Sequence, residues 1–119
     1  MTTAYLTVTS IAIAANGFSG IAALLRFKPI LPGMAKAGVP TSWLVFPIGT
    51  LKTAGALGLA AGLILRPVGI AAAIGLVLFF VCAVYTHIRA SDYGAQFGLA
   101  NGFLALNVAV LALPLAEAL

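Results

Sequence analysis

The chain has 119 residues, of which 63% are hydrophobic and only 7% are charged. A single core of this length cannot bury so much apolar surface, so the composition excludes a soluble globular protein and indicates an integral membrane protein. The formal net charge of +4 would suggest nucleic acid in a soluble chain. Here the positive charges lie mostly at the ends of apolar runs and have a topological explanation. We therefore predict a lipid bilayer as the partner and no nucleic acid.

Four apolar runs follow one another, at residues 4–25, 43–65, 68–88 and 95–116. Each is close to the ~20 residues that a helix needs to cross ~30 Å of hydrocarbon. Backbone polar groups must pair internally in lipid, so we predict an all-α fold, a four-helix bundle with up-down-up-down topology. The four spans form one transmembrane domain over residues 1–119. No Lys or Arg precedes the first run and no clear cleavage site follows it, so we expect that run to remain in the mature protein.

Two local features modify the simple bundle. The segment 32–38 in the first loop is too short to span the membrane and too apolar to float freely. We expect it to form a short interfacial helical turn that covers one mouth of the bundle. In the second run, Pro47 removes one helical hydrogen bond and predicts a bend.

Glycines recur at helical spacing in two of the runs. They are Gly55, Gly58 and Gly62 in the second run and Gly94, Gly98 and Gly102 in the fourth. Small residues at this spacing let helix backbones approach closely. The contacts could lie within the bundle or between two copies of the chain, so a homodimer is one alternative.

Most cations lie in the first and third loops, and we call these four residues the basic loop face: Arg26, Lys28, Lys36 and Arg89. The opposite side of the bundle has only Arg66 and the amino terminus. By the positive-inside rule, the first and third loops face the cytoplasm and both termini lie outside.

Lys52 is the one cation inside an apolar run, ~13 Å below Trp43 by the helical rise. A lysine at this depth is costly and should face the bundle interior. At comparable depth or at the rim of the same half lie the other candidate ligand-binding residues: Asn16, Ser19, His87 and Asn101. Together they could line a polar pocket that opens toward the first and third loops and has an apolar end made by Phe79 and Phe80. The alternative is a structural lysine that bonds Asn16 or backbone carbonyls.

His87, Arg89 and Asp92 lie within six residues and allow two interpretations. Arg89 and Asp92 could form an ion pair that only closes the turn. Alternatively, Asp92 orients His87 for proton transfer, which makes Lys52, His87 and Asp92 the catalytic candidates, with Lys52 as charge stabiliser. One histidine and one nearby carboxylate are too few ligands for a metal, so we predict no metal site. The only cysteine, Cys82, excludes an internal disulfide and is expected to be a packing residue.

Several motifs together resemble the DoxX-like family of small four-helix bacterial membrane proteins. They are Ser19-Gly20, the Gly-Val-Pro at residues 38–40, the Leu-Lys at 51–52 followed by Gly-Ala-Leu-Gly at 55–58, and the His-x-Arg-x-x-Asp at 87–92. The resemblance covers nearly the whole chain and implies the four-helix fold. Relatives in the wider DoxX and DoxD group are membrane components of sulfur- and quinone-linked oxidoreductase systems. The resemblance supplies no catalytic residues.

Three functions follow from these observations, and the accessory subunit comes first. The resemblance favours an accessory or organising subunit of a membrane-associated redox system, with a soluble redox partner on the basic loop face. The placement of Lys52 and His87 favours an enzyme or binding protein for a lipophilic small molecule, and transport of a small solute is a third, weaker alternative. The residues themselves predict no cofactor. A quinone is possible, because it could place its polar head in such a pocket. An open cavity that reaches Lys52 would favour the second function, and a closed core would favour the first.

Overall fold

The structure is a computed structural model that describes residues 2–118. Within these residues it contains five α-helices and no strand: α1 (Thr3–Leu24), α2 (Leu31–Ala37), α3 (Thr50–Ala61), α4 (Arg66–Arg89) and α5 (Ala95–Ala118). The four long apolar segments, Thr3–Leu24, Thr41–Ala61, Arg66–Arg89 and Ala95–Glu117, are each long and apolar enough to cross a membrane. The predicted all-α membrane bundle is therefore confirmed.

The four long helices form a closed ring. α1 packs against α3 and α5, and α4 packs against the same two helices. Neighbours in the ring are also neighbours in sequence, apart from the α1 and α5 pair, so each helix runs antiparallel to those beside it. The α3–α4 turn and both ends of the chain consequently lie at one end of the bundle, and α2 lies at the other.

The second span differs from a continuous helix. One tight turn at Thr41–Trp43 is followed by a loosely wound segment, Leu44–Gly49, and regular helix begins only at Thr50. Phe46 has an extended backbone with φ −135° and ψ 130°, and Pro47 lacks the N–H that would join the two parts. The bend that the sequence predicts at Pro47 is thus a full break in the helix.

The glycine stripe of α3 packs within the bundle, against α4. A Cβ atom on Gly62 would lie 2.3 Å from the Cα of Gly69, so the two backbones touch. A Cβ atom on Gly55 would lie 2.5 Å from Cδ2 of Leu76, so this glycine also lets α4 approach closely. Such an approach replaces the hydrophobic driving force that lipid does not provide. Of the two alternatives for this stripe, the structure shows the contact inside the bundle.

The glycine stripe of α5 is not used in this way. A Cβ on Gly98 or Gly102 would have no atom within 4 Å. Instead, two hydrogen bonds between a pair of buried amide side chains link α1 to α5. Nδ2 of Asn16 donates to Oδ1 of Asn107 at 3.0 Å, and Nδ2 of Asn107 donates back to Oδ1 of Asn16 at 3.3 Å. Each amide nitrogen also donates to a carbonyl of its own helix, so both side chains are well satisfied.

A small polar cluster closes the end of the bundle that carries the chain ends. Arg66 at the start of α4 forms an ion pair with Glu117 near the end of α5, with 2.9 Å between Nη2 and Oε2. Glu117 also accepts a hydrogen bond from the Thr2 hydroxyl, and the Arg66 guanidinium lies over the ring of Tyr5 at 5.7 Å. These contacts join three helices at the end that lies away from α2.

Candidate functional site

A cavity of about 510 Å³ occupies the half of the bundle nearest α2. Its walls come from α2, the broken segment before α3, and α3, α4 and α5, with Ser19 as the contribution of α1. Most of the lining is apolar, including Met34, Trp43, Phe79, Phe80 and Phe103. The polar side chains are few: Ser19, Lys52, Thr86, His87 and Gln96. A concave apolar surface with a few converging polar groups is typical of a small-molecule site.

Helix α2 forms the roof of this cavity. Met34 is buried and packs with Ala23 and Leu44, which fixes α2 on the bundle. Gly33 lies so close to Gln96 of α5 that a Cβ would be 2.6 Å from its Cγ. The helix ends at Gly38, whose φ of 72° is a conformation that glycine adopts without strain. The first loop therefore covers one mouth of the bundle, as the sequence predicts.

The cavity opens sideways, between α3 and α4. Leu51 of α3 and Leu78 of α4 line it and are 45% and 60% exposed. Cys82 is also exposed and lines the cavity, so the prediction that it is a packing residue is wrong. The close contacts at the glycines of α3 reach as far as Gly55, and beyond that point residues of both helices line the cavity. In a bilayer this opening faces the acyl chains.

Lys52 supplies the polar centre. Its Nζ donates a hydrogen bond to Oγ of Ser19 at 2.9 Å. The same nitrogen lies 5.6, 5.5 and 5.8 Å from the ring centroids of Phe79, Phe80 and Phe103. Aromatic faces at this distance attract a cation. An ammonium has three N–H donors, so two remain for the cavity.

His87 forms the second polar group. The ring is buried, and its Nδ1 lies 3.0 Å from Oδ2 of Asp92. An ionised carboxylate only accepts hydrogen bonds, so Nδ1 carries the proton. Asp92 is held in turn by the backbone N–H of Gly94, at 3.3 Å from Oδ1. Among the described residues Nε2 of His87 has no hydrogen-bond partner, and the imidazole lines the cavity.

Three of the five predicted ligand-binding residues meet at the cavity: Ser19, Lys52 and His87. The other two lie elsewhere. Asn16 is committed to the amide pair with α5 and does not bond Lys52. Asn101 is exposed, and its Nδ2 donates to the carbonyl of Phe97 in its own helix at 2.9 Å.

Asp92 does not line the cavity but stands behind His87. Of the two interpretations of this segment, the geometry gives the contact with His87. No ion pair between Arg89 and Asp92 is found in the described part of the chain.

Sequence reasoning missed the contribution of α5. Gln96, Ala100 and Phe103 all line the cavity, and Phe103 completes the aromatic surround of Lys52. The signal was present, because spacings of four and three residues place these side chains on one helix face. It was hidden by the polar Asn101, which drew attention to a different face of the same helix.

The DoxX-like family profile matches residues 7–116, nearly the whole chain. The protein therefore belongs to the DoxX-like family, and with four apolar spans it is a multi-pass membrane protein. No curated protein and no solved structure is significantly similar to it.

Proposed function

We propose that this DoxX-like protein binds an amphipathic small molecule inside the membrane. The polar head of the molecule lies beside Lys52 and His87, and its apolar part extends along the aromatic and aliphatic walls. The observation that carries the proposal is the open cavity that reaches Lys52. A structural lysine would be expected in a closed core, with its donors taken up by amide or carbonyl oxygens.

The dimensions support a bound small molecule. Ligand sites commonly have volumes of roughly 300–1,000 Å³, and the cavity has about 510 Å³. Its lateral opening between α3 and α4 suits a molecule that is dissolved in the bilayer. The ligand can move from the acyl-chain region to the site without crossing the headgroups.

The chemistry supports a head that accepts hydrogen bonds. Lys52 offers N–H donors, and Nε2 of His87 can accept a proton or, when protonated, donate one. A quinone is one candidate, since its carbonyl oxygens accept hydrogen bonds. If the protein is an enzyme, the pairing of His87 with Asp92 supports proton transfer by His87, with Lys52 stabilising negative charge on the bound molecule.

The family supports a second role, an accessory subunit of a membrane-associated redox system. All four residues of the basic loop face are exposed, which would allow a soluble redox partner to dock beside the cavity. This requires the first and third loops to face the cytoplasm. A Lys36→Cys variant in a Cys82→Ser background tests the orientation, because a membrane-impermeant maleimide should label it in inverted vesicles and leave it unlabelled in intact cells.

The binding proposal is tested with two matched glycine variants. A Cβ at Gly75, which lines the cavity, or at Gly98, which does not, would meet nothing within 4 Å. Both Gly75→Leu and Gly98→Leu should therefore fold, and only the first places a side chain at the lateral opening.

Each protein is purified in mild detergent, and its co-purifying lipophilic molecules are identified by mass spectrometry. We expect one compound to be retained by the wild type and by Gly98→Leu and to be lost from Gly75→Leu. Equal retention by all three, or no specific compound in any, would contradict the proposal.

A further inference from the structure

We propose that the head of the bound molecule is an anion, such as a carboxylate, whose charge is balanced by Lys52. The inference rests on the proposed function and adds the chemical class of the ligand. It separates lipophilic anions from neutral molecules such as quinones, which the cavity volume alone would also admit.

The first step is the charge of the cavity wall. Among the described residues that line it, Lys52 is the only lysine or arginine, and no aspartate or glutamate is present. The two ion pairs of the described residues join Arg66 to Glu117 and His87 to Asp92, so neither includes Lys52. A cation in a low-dielectric site without a counter-ion is unfavourable, and an anionic ligand would relieve this.

The second step is the nature of the groups around Lys52. The three phenyl rings stabilise the ammonium through their π faces but do not neutralise it. The Ser19 oxygen already accepts from Nζ, so its own O–H is left to donate. The polar end of the cavity therefore offers three hydrogen-bond donors, which are two N–H groups of Lys52 and the hydroxyl of Ser19. A carboxylate only accepts, and its two oxygens can take all three hydrogen bonds.

The third step is the field at this end of the molecule. The basic loop face adds four cations, and all of them are exposed. The only acidic residue at the same end is Asp92, which is bonded to His87. Positive charges around the rim of a low-dielectric cleft raise the local concentration of anions. The same face would therefore draw an anionic amphiphile to the end of the bundle that contains the cavity.

The apolar walls then require an attached hydrocarbon portion. Leu51, Leu78 and Phe79 continue from the cavity to the lateral opening. A chain on the anionic head would follow these side chains toward the acyl region. The shared chemistry is thus a compact anionic head on an apolar chain. It could come from a free fatty carboxylate or from an anionic phospholipid of the bilayer.

The chain provides its own reporter for a test. Trp43 is the only tryptophan and lines the cavity, so a ligand with a brominated chain should quench its fluorescence on binding. The probes are a brominated dodecanoate and its methyl ester, which has the same chain and no charge. They are titrated at pH 7 into the protein in nanodiscs of neutral phosphatidylcholine. The proteins are the wild type, Lys52→Met, Lys52→Arg and the blocked Gly75→Leu variant.

We expect the carboxylate to quench Trp43 saturably and to bind the wild type at least about tenfold more tightly than the ester. The preference should persist in Lys52→Arg, fall to about one in Lys52→Met, and be absent in Gly75→Leu. If Lys52→Met does not fold, Ser19→Ala takes its place and should reduce the preference. A second titration in the presence of phosphatidylglycerol identifies the source, because displacement of the carboxylate by that lipid means that the natural anion is a phospholipid.

The outcomes separate the two proposals. Equal, saturable quenching by carboxylate and ester that is lost in Gly75→Leu would overturn the anion inference and leave the binding site standing. Quenching that is no different in Gly75→Leu would overturn both. A preference for the carboxylate that survives in Lys52→Met would also overturn the inference, because Lys52 would then not be the group that balances the charge.

Discussion

Replacing Lys52 by methionine should change the stability of the protein by no more than about 1.5 kcal/mol. A lysine at the centre of a membrane helix costs about 2.5–3.5 kcal/mol. In this structure the cost is offset by one hydrogen bond from Nζ to Ser19 and by three aromatic faces at 5.5–5.8 Å. A hydrogen bond to a charged group contributes about 1.5–3 kcal/mol, and three cation–π contacts at about 0.5–1 kcal/mol each add about 1.5–3 kcal/mol. The stabilising contacts, about 3–6 kcal/mol together, exceed the cost by about 1.5 kcal/mol at the middle of both ranges, and methionine keeps most of the side-chain volume.

The assay is reversible unfolding in mixed micelles, with wild type and Lys52→Met compared by helical circular dichroism as the denaturing detergent fraction rises. The Ser19→Ala variant serves as a control, because it removes the hydrogen bond and leaves the ammonium and its aromatic surround in place. We expect it to lose about 1.5–3 kcal/mol and so to be less stable than Lys52→Met. A loss of 3 kcal/mol or more in Lys52→Met would refute this reasoning. It would make the lysine a structural residue and remove the main argument for a ligand beside it.

Other substitutions test helix contacts that do not line the cavity. Asn16→Leu should cost about 1–3 kcal/mol because it leaves an oxygen of Asn107 without its donor, whereas the double variant Asn16→Leu/Asn107→Leu should be closer to the wild type; additive losses in a double-mutant cycle would contradict the reciprocal pair. Gly62→Ala should cost about 1–3 kcal/mol, since its Cβ would fall 2.3 Å from Cα of Gly69. Gly98→Ala has open space around its Cβ and should stabilise α5 by up to about 1 kcal/mol. Equal effects of the two alanines in thermal unfolding would argue against the packing of α3 on α4.

The sequence predicts the positions of the helices well but not the rotation of each helix about its own axis. Hydropathy gives four spans because lipid admits only helices of a certain length, and the covered mouth follows from an apolar segment too short to span. The partner of Lys52 does not follow in the same way. Asn16 and Ser19 are three residues apart on one face of α1, and a rotation of about 60° decides which of them faces α3. Packing with α5 fixes that rotation. Asn16 forms its hydrogen bonds with Asn107, and Ser19 then faces Lys52 and accepts its hydrogen bond.

The contact between His87 and Asp92 depends on a backbone detail that the sequence hides. Ser91 has a φ of 54°, a left-handed conformation that is uncommon for residues other than glycine. It turns the chain back so that the N–H of Asp92 donates to the carbonyl of His87 at 2.9 Å. The carboxylate then reaches the imidazole, and Arg89 stays exposed. Nothing in the residue types marks Ser91 as such a turn, so the ion pair with Arg89 was an equally good prediction.

The position of the cavity follows from where the bundle is closed. The tight contacts of α3 with α4, the Arg66–Glu117 ion pair and the chain ends all lie in one half. In the other half the helical path of the second span is broken at Phe46, and α2 forms a roof where continuous helix would otherwise pack. The opening is confined to the side of α3 and α4, because Gly20 and Gly49 bring α1 into close contact with the second span in the same half. That opening leaves room for a lysine without a counter-ion and for an exposed apolar surface, features that a closed four-helix bundle would have no reason to keep.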